Sequence, residues 1–130
     1  MSLPNFSLEG KVSIITGARR GIGATLAVAF AEAGSDVAVC DIVVDDGLLD
    51  AVAKDIQKFG RRALVVKTDV TREDDVENLV KKAVDEFGRI DILVNNAGIA
   101  PLNKTLDVTV EEWDRVIDID MKSVFLMSKA

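Results

Sequence analysis

Tyrosine and histidine are absent from the 130 residues, and cysteine occurs once, as Cys40. Without histidine the chain lacks the usual general base and the commonest metal ligand, and one cysteine cannot complete a zinc site. Without tyrosine no phenol is available for proton transfer. A lone cysteine excludes an internal disulfide and is typical of a reducing compartment. Because Cys40 lies in an apolar run, we expect a buried core residue rather than a reactive thiol.

Basic clusters and long apolar runs are also missing. The net charge is −6, from 22 acidic and 16 basic residues, and basic residues never cluster beyond pairs. This charge repels a phosphate backbone, so we expect no nucleic-acid partner. No apolar run approaches the roughly 18 residues of a membrane span. Residues 1–6 lack the basic and apolar regions of a secretory signal, so we expect a cytoplasmic protein that does not enter a membrane.

Strand and helix patterns alternate along the chain, which predicts one domain over residues 1–130. Each predicted strand is a short apolar run, and the four runs are 12–15, 37–40, 63–66 and 90–94. Helical spacing of apolar residues follows each strand. Such alternation predicts a parallel sheet covered on both faces. The expected fold is therefore α/β, a doubly wound sheet in three αβα layers with strand order 3-2-1-4.

Capping signals predict where two of the helices begin. Thr71-x-x-Asp74 and Thr109-x-x-Glu112 both match the spacing of a capping box, with Asp in place of the usual Glu or Gln in the first. The second box predicts a helix through about residue 117, and residues 118–130 indicate the start of another helix. The loop over residues 99–108 is the longest connection and lies where a substrate lip is expected.

A glycine-rich loop, Thr16–Gly23, follows the first strand and precedes the first helix. This order points backbone N–H groups and the positive end of a helix dipole at a diphosphate. Gly17 suits the tight turn, Gly21 lets a ligand approach the backbone, and Gly23 lets helix and strand pack closely. The spacing is G-x-x-x-G-x-G, which differs from the G-x-G-x-x-G of classical dehydrogenases.

Asp41 ends the second strand, where a carboxylate accepts hydrogen bonds from the adenosine ribose. The same carboxylate repels a 2′-phosphate, which favours NAD over NADP. Arg20 opposes that preference, because a base beside the loop can pair with a 2′-phosphate. The alternative for Asp41 is a turn residue at a strand end. We expect NAD as the cofactor, with NADP as the alternative.

The third and fourth strands end in polar residues on the same edge of the predicted sheet. Asp69 is expected to accept from the adenine amine while Val70 packs on the ring, the alternative being a loop aspartate that leads into a helix. The fourth strand ends at Asn95–Gly98. Asparagine amides satisfy backbone groups where a chain leaves a sheet, and Gly98 permits close approach of a ligand.

Together these motifs resemble the short-chain dehydrogenase/reductase family. Residues 16–23 are similar to its T-G-x-x-x-G-x-G signature and residues 95–98 to its N-N-A-G motif, over a resemblance that spans residues 7–130. It implies a Rossmann fold, a nicotinamide cofactor, and hydride transfer to or from an alcohol or carbonyl substrate. We predict no metal ligands. The predicted cofactor-binding residues are Gly17, Arg20, Gly21, Ile22, Gly23, Asp41, Ile42, Asp69, Val70, Asn96, Ala97 and Gly98.

The resemblance also implies catalytic residues that this chain lacks. Family members carry an Asn after the fourth strand, then a Ser and a Tyr-x-x-x-Lys motif. Asp120 stands at the Asn position, and the other positions would lie beyond Ala130. We therefore identify no catalytic residue and expect the isolated 130 residues to be inactive. Asp120 is interpreted as a polar residue at a helix start, the alternative being a replacement base.

We expect a domain that is incomplete at its C-terminus, truncated after the fourth strand and the helix that follows. The apolar fourth strand then becomes a sheet edge, which invites pairing. A helix face with Val124, Phe125 and Met127 is partly uncovered, so we predict a homo-oligomer or a cover by another segment. Trp113 is expected to pack on the body of the domain.

Two other functions fit parts of the pattern. One is a non-catalytic NAD-binding module with a regulatory or sensor role. The other is a methyltransferase, although the Asn95-Asn96 pair and the spacing of Gly17 and Gly21 speak against it. The sequence does not identify the substrate, because in the resembling family later sequence builds most of the substrate pocket.

Overall fold

A computed structural model describes residues 5–130. The residues before Asn5, on which part of the secretory-signal expectation depends, lie outside this range. A 3₁₀ turn spans Thr105–Asp107, and a π turn spans Asp118–Lys122. The strands and α-helices are β1 Val12–Thr16, α1 Gly21–Glu32, β2 Asp36–Asp41, α2 Leu48–Lys58, β3 Ala63–Lys67, α3 Glu73–Phe87, β4 Ile92–Val94, α4 Val110–Ile117 and α5 Ser123–Lys129.

The four strands form one parallel sheet in the order β3-β2-β1-β4, which confirms the predicted topology. Thr16 at the end of β1 lies opposite Cys40 near the end of β2, so both strands end at the same edge. The fourth strand is shorter than predicted and begins at Ile92. Before it, Asp91 accepts a hydrogen bond from the backbone of Val12 at 2.9 Å.

Apolar side chains cover both faces of the sheet, as the continuous strand pattern predicts. One core contains Ile14 and Cys40 with residues of α3 and α5. The other contains Ile15 and Val39 with residues of α1 and α2. These cores make the three αβα layers. Cys40 is fully buried, and burial raises the pKa of its thiol to about 12, which confirms it as a core residue.

The buried faces of α2 and α3 follow the helical spacing of their apolar residues. Val76, Leu79 and Ala83 of α3 are buried. Val84, at the margin of the same stripe, is exposed, and so is Phe59 just after α2. Both lie at the edge of the apolar arc, where a side chain turns past the sheet toward solvent.

One of the two predicted capping boxes is correct. Thr109 accepts from the backbone N–H of Glu112, and the Glu112 side chain accepts from the backbone N–H of Thr109. The Thr71 prediction is wrong, because α3 begins after Arg72 and its first turn receives no side-chain cap from that residue. Instead Asp69 accepts from both the backbone and the hydroxyl of Thr71.

The segment from Val110 to Lys129 is one continuous run of helical turns, which corrects the prediction of a new helix after Ile117. Asp118 keeps right-handed helical angles, with φ −61° and ψ −44°. Because no glycine or proline interrupts the run, the backbone passes through the wider π turn without a break. Asp120 therefore lies inside a helical segment and does not begin one.

Several large apolar side chains around α4 and α5 are exposed. Trp113 is 62% exposed, so the prediction that it packs on the body is wrong. Phe125 is also exposed, as predicted, whereas Met127 is buried against α3 and departs from that prediction. We call the exposed set the α4–α5 apolar surface; it comprises Leu102, Leu106, Val110, Trp113, Met121 and Phe125.

A buried acid locks the amino end of β2. Asp36 accepts from the backbone N–H of Arg62 at 2.9 Å and from the Arg62 guanidinium at 2.9 and 3.0 Å. The Arg61 guanidinium pairs with the same carboxylate at 2.8 Å. The Arg62 guanidinium also lies over the Phe87 ring, 4.9 Å from its centroid. This cluster joins β2 to the start of β3 and the end of α3.

Candidate functional site

The carboxyl ends of the four strands open into a cleft of about 530 Å³, a size typical of ligand pockets. In a doubly wound sheet this edge, where the strand order reverses between β1 and β4, is where ligands bind. Of the predicted residues only Gly23 is not in the lining. The lining consists of Gly17, Arg19, Arg20, Gly21, Ile22, Asp41, Ile42, Thr68, Asp69, Val70, Asn96, Ala97, Gly98, Ile99, Arg115 and Ile119.

The glycine loop needs glycine at Gly17 for two separate reasons. Its φ is +62°, in the left-handed region that favours glycine. A Cβ there would also lie 2.8 Å from the Cα of Ala97, closer than real side chains come. Gly21 has φ +59° and open space around it, which leaves room for the expected approach of a ligand.

Gly23 lies behind the cleft and supports its floor. A Cβ at this position would lie 2.5 Å from Nδ2 of Asn96 and even closer to the carbonyl oxygen of Gly17. The predicted close packing is therefore between α1 and the loop that follows β1, with the Asn96 amide pressed against both. A side chain at Gly23 would push the loop into the cleft.

Asn96 fastens the loop after β4 to the loop after β1. Its Nδ2 donates to the carbonyl oxygens of Thr16 and Gly17, both at 3.0 Å. The Thr16 hydroxyl accepts in return from the backbone N–H groups of Asn96 and Ala97, both at 3.0 Å. This confirms that the asparagine amide satisfies backbone groups where the chain leaves the sheet.

The N-terminus of α1 faces the cleft without a side-chain cap. Arg20 stands at the N-cap position in extended conformation and makes no capping hydrogen bond. The N–H groups of the first helical turn have no intrahelical acceptor, and the helix dipole adds positive charge there. Ile22, in that turn, is 73% exposed in the cleft. A diphosphate fits this end of the helix.

Asp41 is placed at the end of β2, beside the glycine loop. It accepts from the backbone N–H of Val43 at 3.2 Å and from that of Arg19 at 3.4 Å. The Arg19 Nε lies 3.6 Å from Asp41, and the Arg19 guanidinium also donates to Asp46. Sequence reasoning considered Arg20 and missed Arg19. The usable signal was an arginine two positions after Gly17, facing a strand-end acid.

Asp69 has a structural role and still lines the cleft. One carboxylate oxygen accepts from the backbone of Thr71 at 2.9 Å and from its hydroxyl at 2.7 Å. Its own backbone N–H donates to Asp75 at 2.9 Å. Val70 is buried and borders the same side of the cleft, whereas Ile42 is 56% exposed there. The turn-forming alternative for Asp69 is thus realised, which leaves its predicted adenine contact as a proposal.

Asp120 contacts the loop that follows β4. Its carboxylate accepts from the backbone N–H of Ile99 at 2.9 Å. A Cβ on Gly98 would lie 3.3 Å from the same oxygen, so glycine allows this close approach. The π turn brings Asp120 to this position, and the earlier interpretation as a helix-start residue is therefore wrong.

Four cleft residues escaped sequence reasoning besides Arg19, namely Thr68, Ile99, Arg115 and Ile119. Arg115 and Ile119 are four positions apart and so share one helix face, which was the available signal. Within residues 5–130, no group of three or more His, Cys, Asp or Glu side chains could hold a metal ion. In that same part of the chain, no helix is long and apolar enough to cross a membrane.

The sheet order and the glycine-loop cleft at its carboxyl edge define a Rossmann-type α/β fold. The family model described as short chain dehydrogenase matches residues 11–130. The chain therefore belongs to the short-chain dehydrogenase family, which confirms the resemblance found in its motifs.

Two relatives show how similar the chain is to members of that family. It is 41% identical over 130 residues to the 2-dehydro-3-deoxy-D-gluconate 5-dehydrogenase of Escherichia coli strain K12, covering 100% of this chain and 50% of the relative. It is 40% identical over 124 residues to a 3-oxoacyl-[acyl-carrier-protein] reductase of Synechocystis, covering 95% and 50%. The chain thus spans about half the length of these relatives.

A solved structure agrees with the same extent. A short-chain alcohol dehydrogenase from Sinorhizobium meliloti 1021 superposes with a TM-score of 0.90 at 38% identity. The match covers 98% of this chain and 50% of that one. The fold and the family are therefore shown for essentially the whole of this sequence, which corresponds to one half of the neighbouring structure.

Proposed function

We propose that this chain is the NAD-binding part of an oxidoreductase that transfers hydride between a nicotinamide cofactor and an alcohol or carbonyl substrate. Asp41 carries the choice of NAD, because its carboxylate lies at the strand end beside the glycine loop and lines the cleft. A carboxylate in this place accepts from ribose hydroxyls and repels a 2′-phosphate. The L-rhamnose 1-dehydrogenase (NAD(P)(+)) of Sphingomonas, 37% identical over 123 residues, is a family member named for both cofactors.

Each part of the cleft has a place in this proposal. The first turn of α1, with Gly21 and Ile22, receives the diphosphate through its free N–H groups. Asp41 and Ile42 border the adenosine ribose. Asp69 and Val70 border the adenine, while the Asn96–Gly98 loop faces the opposite half of the dinucleotide. When bound, NAD supplies a hydride acceptor, and the residues of this chain bind and orient it.

The fit of a dinucleotide is supported by the cleft itself. Its volume of about 530 Å³ extends along the ends of all four strands, and the apolar side chains of Ile22 and Ile42 are exposed in it. At Gly21 the backbone is left open to a ligand. These features suit a long ligand with apolar rings and a central diphosphate better than a small polar one.

We identify no residue in this chain that could transfer the proton during the reaction. The sequence contains neither histidine nor tyrosine, and the Cys40 thiol is buried with its pKa raised to about 12. A general acid or base must reach the reacting oxygen with a pKa near the working pH. We therefore expect the 130-residue chain to show no steady turnover of any alcohol with NAD.

Calorimetric titration of the chain with NAD, NADP and S-adenosylmethionine tests the proposed function. We expect saturable NAD binding, weaker NADP binding, and no binding of S-adenosylmethionine. Absence of NAD binding, or a clear preference for NADP, would overturn the cofactor assignment. Tight S-adenosylmethionine binding would instead indicate a methyl-transfer function.

We also propose that the chain self-associates through the α4–α5 apolar surface. Trp113 and Phe125 are both 62% exposed, and exposed aromatic patches mark interaction surfaces. Light scattering at micromolar concentration should give at least twice the monomer mass of 14.0 kDa. A monomer mass would contradict the proposal. The buried, reduced state of Cys40 supports a cytoplasmic location, which cell fractionation tests.

A further inference from the structure

Arg19 forms an ion-pair cluster at the mouth of the cleft. Its guanidinium lies between two acids, with Nε 3.6 Å from Asp41 and Nη1 hydrogen-bonded to Asp46. The side chains of Arg19 and Asp41 are largely shielded, at 17% and 15% exposed, and that of Asp46 is 33% exposed. Arg20, by contrast, is exposed and forms no ion pair with any residue in the range 5–130. The base nearest the proposed ribose site is therefore Arg19.

Asp46 is itself held in place by its own loop. Its carboxylate accepts from the backbone N–H of Leu48 at 3.1 Å, and Gly47 between them has φ +78°. This turn at the start of α2 fixes the acid on the far side of Arg19 from Asp41. The hydrogen bond from Leu48 and the pairing with Arg19 together lower the pKa of Asp46, so it is charged at neutral pH.

The cluster leaves Arg19 incompletely satisfied. Its Nε is buried and has no hydrogen-bond partner among the described residues. A buried N–H without a partner costs free energy. Arg19 itself lines the cleft, beside Asp41. If the guanidinium turned toward the cleft, a ligand oxygen could become that partner. Arg19 therefore lies close enough to contact a ligand in the cleft, but its guanidinium is held toward the two acids.

The net charge of the cluster formed by Arg19, Asp41 and Asp46 determines whether it can accept a phosphate. Two carboxylates and one guanidinium give the cluster a net charge of −1, which repels the doubly charged 2′-phosphate of NADP. If Asp46 were neutral, the net charge would be zero and the guanidinium could turn toward that phosphate. Arginine pairs well with phosphate when its guanidinium is free to do so.

We propose that Asp46 is a positioning residue for cofactor choice, which holds Arg19 against Asp41 and so keeps the guanidinium from pairing with the 2′-phosphate of NADP. This inference deepens the proposed function and depends on it. It assigns a selectivity role to a residue outside the cleft lining, and it explains how an arginine beside the loop coexists with a preference for NAD.

The test compares Asp46→Asn with Asp45→Asn by calorimetric titration of the full chain with NAD and NADP. Both variants remove one negative charge from the same exposed loop, but Asp45 makes no ion pair within residues 5–130. We expect the ratio of NADP to NAD affinity to rise about five- to tenfold in Asp46→Asn and less than twofold in Asp45→Asn. Far-UV circular dichroism checks that each variant is folded.

A double variant separates release of Arg19 from simple loss of charge. Arg19→Met with Asp46→Asn should lose the gain in NADP affinity that Asp46→Asn shows alone. The inference is overturned if both single variants change the ratio equally, or if the gain survives in the double variant. If the unaltered chain binds NAD but Asp46→Asn leaves the ratio of NADP to NAD affinity unchanged, only this inference is overturned. If the unaltered chain does not bind NAD, the proposed function is overturned as well.

Discussion

The two ends of β2 each carry an aspartate, and the two aspartates are used in opposite ways. At the amino end, Asp36 is surrounded by two arginines and receives hydrogen bonds from a backbone N–H and both guanidinium groups. At the carboxyl end, Asp41 shares a single arginine with Asp46. The first cluster has an excess of positive charge and the second an excess of negative charge.

The difference lies in how completely each cluster is satisfied. Every oxygen of Asp36 has a partner within about hydrogen-bond distance, and its side chain is only 8% exposed. At Asp41 the nearest guanidinium nitrogen stands 3.6 Å away, and the Nε of Arg19 lacks a hydrogen bond within the described part of the chain. A saturated cluster stabilises the fold, whereas an unsaturated one at a cleft is suited to a ligand.

At the carboxyl edge of the sheet, the largest effect on binding is expected from a substitution at Gly23. A methyl group there would meet backbone atoms that cannot move aside. Gly23→Ala should weaken NAD binding about a hundredfold, the equivalent of about 3 kcal/mol, because the loop is displaced into the cleft. Titration calorimetry measures the change. Gly60→Ala is the control for backbone strain away from the cleft, because Gly60 follows α2 with φ +71° and open space around it. Equal losses of binding in both variants would contradict the close-packing argument.

The amino end should respond in stability and leave binding unaffected. Asp36→Ala leaves Arg61 and Arg62 without their shared acceptor, so the free energy of unfolding should fall by about 2–3 kcal/mol. Denaturant unfolding gives this value, and the affinity for NAD should stay within about twofold. Asp55→Ala, which removes an exposed pair with Lys58, should cost less than about 0.5 kcal/mol.

The reciprocal change at the carboxyl end should alter binding more than stability. Asp41→Asn should weaken NAD binding about tenfold, near 1.4 kcal/mol, because a charged acceptor for the ribose hydroxyls is lost. Its free energy of unfolding should change by less than about 1 kcal/mol, since its pair with Arg19 is long. The comparison between the two ends fails if Asp41→Asn unfolds the chain as readily as Asp36→Ala.

Acid should act in part through the amino end of β2, where the pKa of Asp36 is lowered, as is that of Asp46 near the carboxyl end. Burial raises the pKa of Asp36, but the backbone hydrogen bond from Arg62 and the two guanidinium groups outweigh it, so the pKa lies below its ordinary value of 3.8. A carboxylate whose pKa is lowered by folding stabilises the folded state at pH values above its ordinary pKa. This stabilisation is lost as the pH falls through the pKa in the folded state. Asp36→Asn should therefore flatten the fall in stability below about pH 4, measured by urea unfolding across pH. If Asp36→Asn loses stability below about pH 4 as steeply as the unaltered chain, other carboxylates cause the loss.

Strand order and layers were predictable because they depend on patterns that the chain repeats. Apolar runs of four to five residues followed by helical spacing leave few alternatives for a parallel sheet. The ends of elements were less predictable. The Thr71 signal has the spacing of a capping box, yet the Thr71 hydroxyl donates to Asp69 two residues before it, and the helix begins only after Arg72.

The candidate site was predictable where backbone geometry selects the residue type. Gly17 and Asn96 follow from a tight turn and a strand end. The Arg19 and Asp46 pairing was not predictable, because the two are 27 positions apart and meet only when the loop after β2 folds over the glycine loop. Asp120 was misplaced for a similar reason, since a π turn has no sequence signature and its presence rotates the side chains that follow.

The bonds between Asn96 and the loop after β1 also constrain the order of folding. Asn96 and Thr16 are 80 positions apart, so the loop acquires its final shape only after β4 has docked beside β1. Contacts of such separation form late, because the chain between them must be ordered first. The cleft is thus a property of the assembled sheet, and a chain on the ribosome from which Asn96 has not yet emerged would have a glycine loop without these hydrogen bonds.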